Sequence, residues 1–231
     1  MSVIVLASLG GLTSFLSTSL GSVLTQAFSK TSRLKNLHMS MDFTLGVMLS
    51  ASAFLIAPEF LTNSSLSLMG LITGLISIFI LHTIIHKNSQ SKNASTHLLI
   101  AALIFHNFPE GMGSGASLAG MDFHMALSLQ GALAIQNIME GMLLTLLLKS
   151  LGLDNFWSVM GGIGSGVVEL AGGVLSGLIL NEALSALPFL LSLAGGAMIG
   201  SVLMEIYEQK GIKFLAFAKG LLIIPIMNQF L

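Results

Sequence analysis

The chain has no cysteine, and charge is scarce: 8% of its 231 residues are Asp, Glu, Lys or Arg. The first absence removes disulfides, iron–sulfur clusters and thiolate metal sites together. Any metal chemistry therefore falls to His, carboxylate, amide or Met groups. The second absence is more restrictive, because a water-facing globular surface carries roughly 25% charged residues. A chain this poor in charge cannot cover itself in water, so lipid is its expected solvent. The formal net charge of -1 supplies no basic field, which excludes nucleic acid as a partner. Low-complexity tracts and a separate soluble domain are lacking too, and residues 1–231 read as a single transmembrane domain. What is present is apolar: 54% hydrophobic residues and a mean hydropathy of +0.91.

A bilayer core takes about 20 apolar residues per helix. Polar breaks divide the chain into eight expected spans, near 3–28, 40–61, 66–86, 97–120, 124–149, 156–180, 184–208 and 212–231. The first lacks a basic n-region and is as long as a full span, so it reads as a retained helix rather than a cleaved signal. Lys30, Arg33 and Lys35 follow span one, Lys87 and Lys92 follow span three, Lys149 ends span five, and Lys210, Lys213 and Lys219 flank or enter span eight. With eight spans all nine basic residues fall on one side, while Glu59, Asp122, His124 and Glu182 fall on the other. Lys and Arg collect in cytoplasmic loops. Both termini are therefore expected outside the cytoplasm.

Two hexapeptides at mid-span carry the chemistry. Span four contains His106-Asn107-Phe108-Pro109-Glu110-Gly111, and span five contains Gln136-Asn137-Ile138-Met139-Glu140-Gly141, offset by 30 residues. Positions i and i+4 share a helix face, so His106 converges with Glu110 and Gln136 with Glu140. Asn107 and Asn137 sit one step around, within reach of a neighbouring site. Pro109 removes an N–H and should free the Phe105 carbonyl, kinking span four. The glycine after each Glu allows another backbone to approach. Span six adds Glu169 at similar depth, and span two adds the thioether of Met48. A lone ionised carboxylate at the bilayer centre costs several kcal/mol. Three of them also repel one another, and no Lys or Arg lies at their depth. A divalent cation is the simplest counter-charge, and imidazole with carboxylate oxygen suits zinc and its first-row neighbours. A protonated polar core that only joins helices is the alternative for these residues.

The span-four hexapeptide resembles the signature of the ZIP (Zrt/Irt-like protein) metal transporters, and the span-five hexapeptide is similar to that family's second motif. Gly46-Val47-Met48-Leu49 with Ala53-Phe54 and Pro58-Glu59 resembles its second span. The resemblance implies a centre holding up to two ions. His106, Glu110, Gln136 and Glu140 with Met48 would hold one; Asn107, Asn137 and Glu169, sharing Glu110 and Glu140, would hold the other. It further implies uptake toward the cytoplasm and a cargo of zinc, with iron, manganese, cobalt and cadmium as further candidates. Homodimers, and no organic cofactor, are also implied. Spans one, four, five and six should group around the metal, with two, three, seven and eight as the other half. Spans 1–3 and 6–8 should form an inverted repeat around spans 4–5. Met139 stands where the family usually has Pro, and Gln136 where many members have His.

Outside the centre, Glu205 and the i, i+4 pair His82 and His86 mark a possible exit path, with Glu208 beyond. Glu59, Asp122 and His124 mark a possible entrance. His38 and His97 read as interfacial, and Trp157 and Tyr207 as aromatic anchors at the membrane boundary. An intramembrane metal hydrolase would keep three strong protein ligands on its metal; one mid-membrane His argues against it and against an enzyme. A metal exporter or channel-like pore could use the same ligands. Short loops and the lack of a targeting segment point to a prokaryotic cytoplasmic membrane.

Overall fold

A computed structural model of the chain describes the backbone of residues 1–28, 34–87, 92–209 and 212–230, and side chains at 1–26, 41–84, 104–207 and 212–230. The described residues contain no strand. The helices are α1 (Val3–Phe28), α2 (Leu34–Thr62), α3 (Ser64–Lys87), α4 (Lys92–Gly120), α5 (Phe123–Ser150), α6 (Asn155–Glu182), α7 (Leu187–Gln209), α8 (Phe214–Leu221) and α9 (Ile223–Phe230), with one 3₁₀ turn, Leu184–Ala186, before α7. Six described helical stretches are long and apolar enough to cross a membrane, in α1, α2, α3, α5, α6 and α7.

Three expected boundaries differ, one of them the start of the fourth helix, at Lys92 rather than near residue 97. The second helix begins at Leu34 rather than near residue 40. The eighth apolar segment divides at Leu222 into α8 and α9. Pro225 explains the division, since it offers no N–H to the Leu221 carbonyl and its ring crowds that carbonyl. The basic residues Lys30, Arg33, Lys35, Lys87, Lys92 and Lys210, together with His38, His86, His97 and Glu208, have side chains outside the described residues.

Polarity inside the bundle is the reverse of a water-soluble protein. On α1 the buried stripe is Ser14, Thr18, Ser22 and Thr25, while Leu16, Leu20 and Val23 are exposed. On α3 Ile72, Ile76, Phe79 and Ile80 point outward. Apolar side chains gain nothing by leaving lipid for a protein interior, so helix association rests on close packing and on hydrogen bonds between helices. Trp157 and Tyr207 are both exposed near helix ends.

The packing partners form two groups. α1 lies against α4, α5 and α6, and α4 against α6. α7 lies against α2 and α3, and α2 against α8. Contacts of α4 with α7 and of α5 with α2 join the groups. A buried apolar cluster fills that junction, including Val47, Ala51 and Leu55 of α2, Met112 of α4, Leu133 of α5, and Leu191, Ala194 and Met198 of α7.

Glycines set how closely the helices of the first group approach. Gly111 of α4 faces the backbone of Glu169 on α6, and Gly141 of α5 faces the backbone of Thr18 on α1. Likewise Gly172 of α6 faces the Phe108 carbonyl of α4, and Gly21 of α1 faces the Ile138 carbonyl of α5. These contacts exchange when α4 is swapped with α5 and α1 with α6. Gly111 and Gly141 directly follow the two motif glutamates, so each close approach sits beside a carboxylate.

Candidate metal centre

His106 and Glu110 lie one turn apart on α4, as do Gln136 and Glu140 on α5, and the contact between these helices brings the pairs together. One ligating atom each from His106, Glu110 and Glu140 lies within 4.8 Å of the other two. His106 Nε2 is 3.4 Å from Glu140 Oε2. Both carboxylates are buried, and His106 is half-buried.

Gln136 is fully buried between the carboxylates. Its Nε2 donates to Glu110 Oε1 at 2.6 Å and to Glu140 Oε1 at 3.0 Å. Both N–H bonds of the amide thus hold the two acids together, while the amide oxygen has no donor. Glu110 Oε2 and Asn107 Oδ1 are also buried without a hydrogen-bond donor. Buried polar atoms are ordinarily paired, because an unpaired one costs about 1–3 kcal/mol. The unpaired oxygen of Glu110, next to a second carboxylate and an imidazole, suits a cation rather than another acceptor.

Glu169 of α6 is fully buried. Thr18 Oγ1 of α1 lies 2.7 Å from its Oε1 and 2.9 Å from its Oε2. Asn137 of α5 lies between this carboxylate and Glu110. With its nitrogen toward Glu110 Oε1 (2.6 Å) and the Leu133 carbonyl (3.0 Å), the Asn137 amide satisfies both of its N–H bonds. That orientation turns its oxygen toward Glu169, an acceptor against an acceptor, as a shared cation would permit.

A cavity adjoins the His106 and Glu140 side of the centre. Its walls are Met41, Thr44, Leu45 and Met48 of α2, Met139, Glu140 and Leu143 of α5, Ser201 and Glu205 of α7, and His106 of α4. The Thr44 hydroxyl lies 3.6 Å from the Met139 sulfur. The cavity runs toward the start of α2 and the ends of α5 and α7. Met48, expected at the centre, and Glu205, expected on the exit path, both line this cavity, while half-buried His82 on α3 does not.

The residues expected at the entrance lie elsewhere. Glu59 is buried near the end of α2, its Oε2 accepting from the Thr62 hydroxyl at 3.2 Å. Asp122 Oδ1 caps α5 by accepting from the backbone N–H groups of His124 (3.0 Å) and Met125 (3.3 Å). His124 is exposed, edge-on to Phe123.

Sequence reading missed Thr18 and the cavity methionines Met41 and Met139. A signal for Thr18 exists: residues 10–22 (GGLTSFLSTSLGS) and 161–173 (GGIGSGVVELAGG) share Gly-Gly, Ser and Gly at matching positions, and Thr18 falls in the register of Glu169. No comparable signal marks Met41 or Met139, which only the tertiary packing brings beside His106.

No protein-family model matches the chain. Over 229 aligned residues it is 30% identical to the zinc transporter ZIPB of Bordetella bronchiseptica, covering 88% of this chain and 72% of that protein. Over 105 residues it is 30% identical to the zinc transporter GufA of Myxococcus xanthus, covering 46% of this chain and 41% of the relative.

Proposed function

Since this chain belongs to the ZIP family of metal transporters, we propose that it carries divalent transition-metal ions, zinc first, toward the cytoplasm through the centre on α4, α5 and α6. It is a multi-pass membrane protein that transports metal ions, and not an enzyme. The observation that carries the mechanistic reading is the convergence of His106, Glu110 and Glu140 within 4.8 Å of one another, with a buried, unpaired oxygen on Glu110 itself.

On this reading one ion takes His106, Glu110, Gln136, Glu140 and Met48, and a second takes Asn107, Asn137 and Glu169 while sharing Glu110 and Glu140. Imidazole, carboxylate and amide groups without a thiolate suit zinc, and also iron, manganese, cobalt and cadmium. The Met-lined cavity ending at Glu205 is the route inward, so release follows α2, α5 and α7. In this proposal His82 and His86 belong to the exit path and Glu59, Asp122 and His124 to the entrance, outside the centre.

With eight spans and the basic residues on the cytoplasmic side, both termini lie on the extracytoplasmic side in this proposal. Two contacts support termini at a common end: Gly177 near the end of α6 packs on Ile4, and Ser128 near the start of α5 meets Asn228 at 3.5 Å. The exchange of glycine contacts between α1/α5 and α6/α4 supports an inverted repeat of spans 1–3 and 6–8 around spans 4–5. A single transmembrane domain in the cytoplasmic membrane of a prokaryote, working as a homodimer, completes the proposal.

Uptake of radioactive zinc into sealed liposomes tests it, using wild type, Glu110→Ala and His106→Ala. Saturable uptake by wild type, lost in both variants, is expected. Near-normal uptake by a well-folded Glu110→Ala protein would remove the centre from the transport path.

A further inference from the structure

We propose that Thr18 of α1 is a positioning residue for the metal centre, holding the Glu169 carboxylate so that one oxygen is bonded to the hydroxyl and the other is presented to an ion. The inference rests on the reading of Glu169 as a ligand of the second ion. Thr18 and Glu169 are both 0% exposed, so no solvent donor competes for the carboxylate. The Thr18 oxygen stands 2.7 Å and 2.9 Å from the two Glu169 oxygens, across 151 residues of chain. A hydroxyl has one proton to donate. That proton satisfies one oxygen fully or both in part, which leaves carboxylate lone pairs for a cation.

The packing fixes this geometry from both sides. Gly141, directly after Glu140, abuts the backbone of Thr18, while Gly111, directly after Glu110, abuts the backbone of Glu169. The Ser22 hydroxyl donates to the Thr18 carbonyl at 2.9 Å, one turn along the same helix. Neither Thr18 nor Glu169 can shift along its helix without disturbing a motif glutamate. Matching of residues 10–22 with 161–173 puts Thr18 at the α1 counterpart of Glu169. Of the two matched helices, α6 thus supplies a carboxylate and α1 the hydroxyl that orients it. A glutamate at both places would put four carboxylates around the ions; threonine keeps three.

The test is zinc binding to purified full-length protein by equilibrium dialysis, with Thr18→Val, Thr18→Ser and Glu169→Gln. Valine keeps the shape and removes the donor; serine keeps the donor. A hydrogen bond to a charged group corresponds to roughly a tenfold change in affinity. The expected result is about a tenfold weaker dissociation constant for the more loosely held zinc in Thr18→Val, with the tighter zinc unchanged and serine restoring the wild-type value. Thr18→Ala replaces valine if the latter does not fold, with the same expectation. Loss of the looser zinc in Glu169→Gln together with wild-type binding in Thr18→Val or Thr18→Ala would overturn the role of Thr18 alone. Wild-type binding in Glu169→Gln would overturn the second-ion reading beneath it. Equal weakening in Thr18→Val and Thr18→Ser would make Thr18 a packing residue and overturn the proposal.

Discussion

Replacing Gly111 by alanine should damage both the bundle and the metal centre, and the size of the effect follows from one contact. A Cβ built at residue 111 would lie 2.5 Å from both the carbonyl carbon and the Cα of Glu169. Carbon atoms in comfortable contact are about 3.5–4.0 Å apart, so the overlap is about 1 Å. The obstacle is backbone, which cannot rotate aside as a side chain would. α4 and α6 must therefore part by roughly that amount, and such overpacking costs about 1–3 kcal/mol or more. For a chain of this size that is a melting temperature lower by roughly 2–12 °C. Because the displaced residue is Glu169 itself, its carboxylate leaves its place beside Asn137. Metal ligands work within about 0.2 Å of their ideal distance, so a shift of this size withdraws Glu169 from the ion. Zinc uptake into liposomes should fall by an order of magnitude or so, in the range seen when the supporting groups of a metal site are lost. Gly164→Ala on α6 is the matched control, since a Cβ there meets nothing within 4 Å. It should leave uptake intact and raise stability by up to about 1 kcal/mol through helix propensity. Wild-type melting and uptake in Gly111→Ala would refute the close α4–α6 approach and the placement of Glu169 that depends on it.

Three further outcomes follow from the geometry. Gln130 of α5 accepts from the hydroxyls of Thr13 (2.8 Å) and Ser114 (2.9 Å) and donates to the Ser114 carbonyl (2.8 Å), so Gln130→Leu should destabilise the protein by about 1–3 kcal/mol while zinc affinity, measured by dialysis, stays unchanged. Met139→Leu keeps the volume but removes a soft sulfur from the cavity wall, so uptake of cadmium should fall relative to zinc in a competition assay. Glu205→Gln removes a carboxylate from the far wall of the cavity, and is expected to lower the maximal rate of zinc uptake while zinc binding at equilibrium is retained.

The helical fold was legible because lipid imposes it: a span must be long, apolar and internally hydrogen-bonded, so polar breaks locate its ends. The break at Leu222 was missed although Pro225 stood in plain view, because the apolar run continues across it. The carboxylates of the candidate centre were legible for a related reason. Glu110, Glu140 and Glu169 are expensive at mid-membrane and each demands an explanation from sequence alone. A threonine makes no such demand, since its hydroxyl can bond its own helix, and so Thr18 passed as one more small residue. Met139 was noticed as a departure from a proline, not as a cavity wall, because which helix faces α5 there is decided by tertiary packing. Asp122 carries a local task that the reading for an entrance did not consider: its exposed carboxylate is engaged as the N-cap of α5.

On the proposed mechanism the centre must tolerate losing its cargo, and the Gln136 amide offers a way to do so. If ionised, Glu110, Glu140 and Glu169 would place three formal negative charges around the +2 ions of the proposed cycle. When the ion leaves, the two carboxylates nearest His106 would repel each other unless something takes its place. The Gln136 amide, with both N–H bonds committed to Glu110 and Glu140 at 2.6 and 3.0 Å, is that replacement. Rotation of the same amide by half a turn would present its unpaired oxygen to the centre instead. A histidine at this position offers one N–H to the pair when neutral, and could not hold both acids at once. On the proposed mechanism Gln136→His should therefore bind zinc more tightly, because imidazole is the stronger ligand. It should also turn over more slowly, because the empty centre has lost one of its two internal donors. Tighter binding accompanied by faster uptake would contradict the argument that stabilisation of the empty centre governs release.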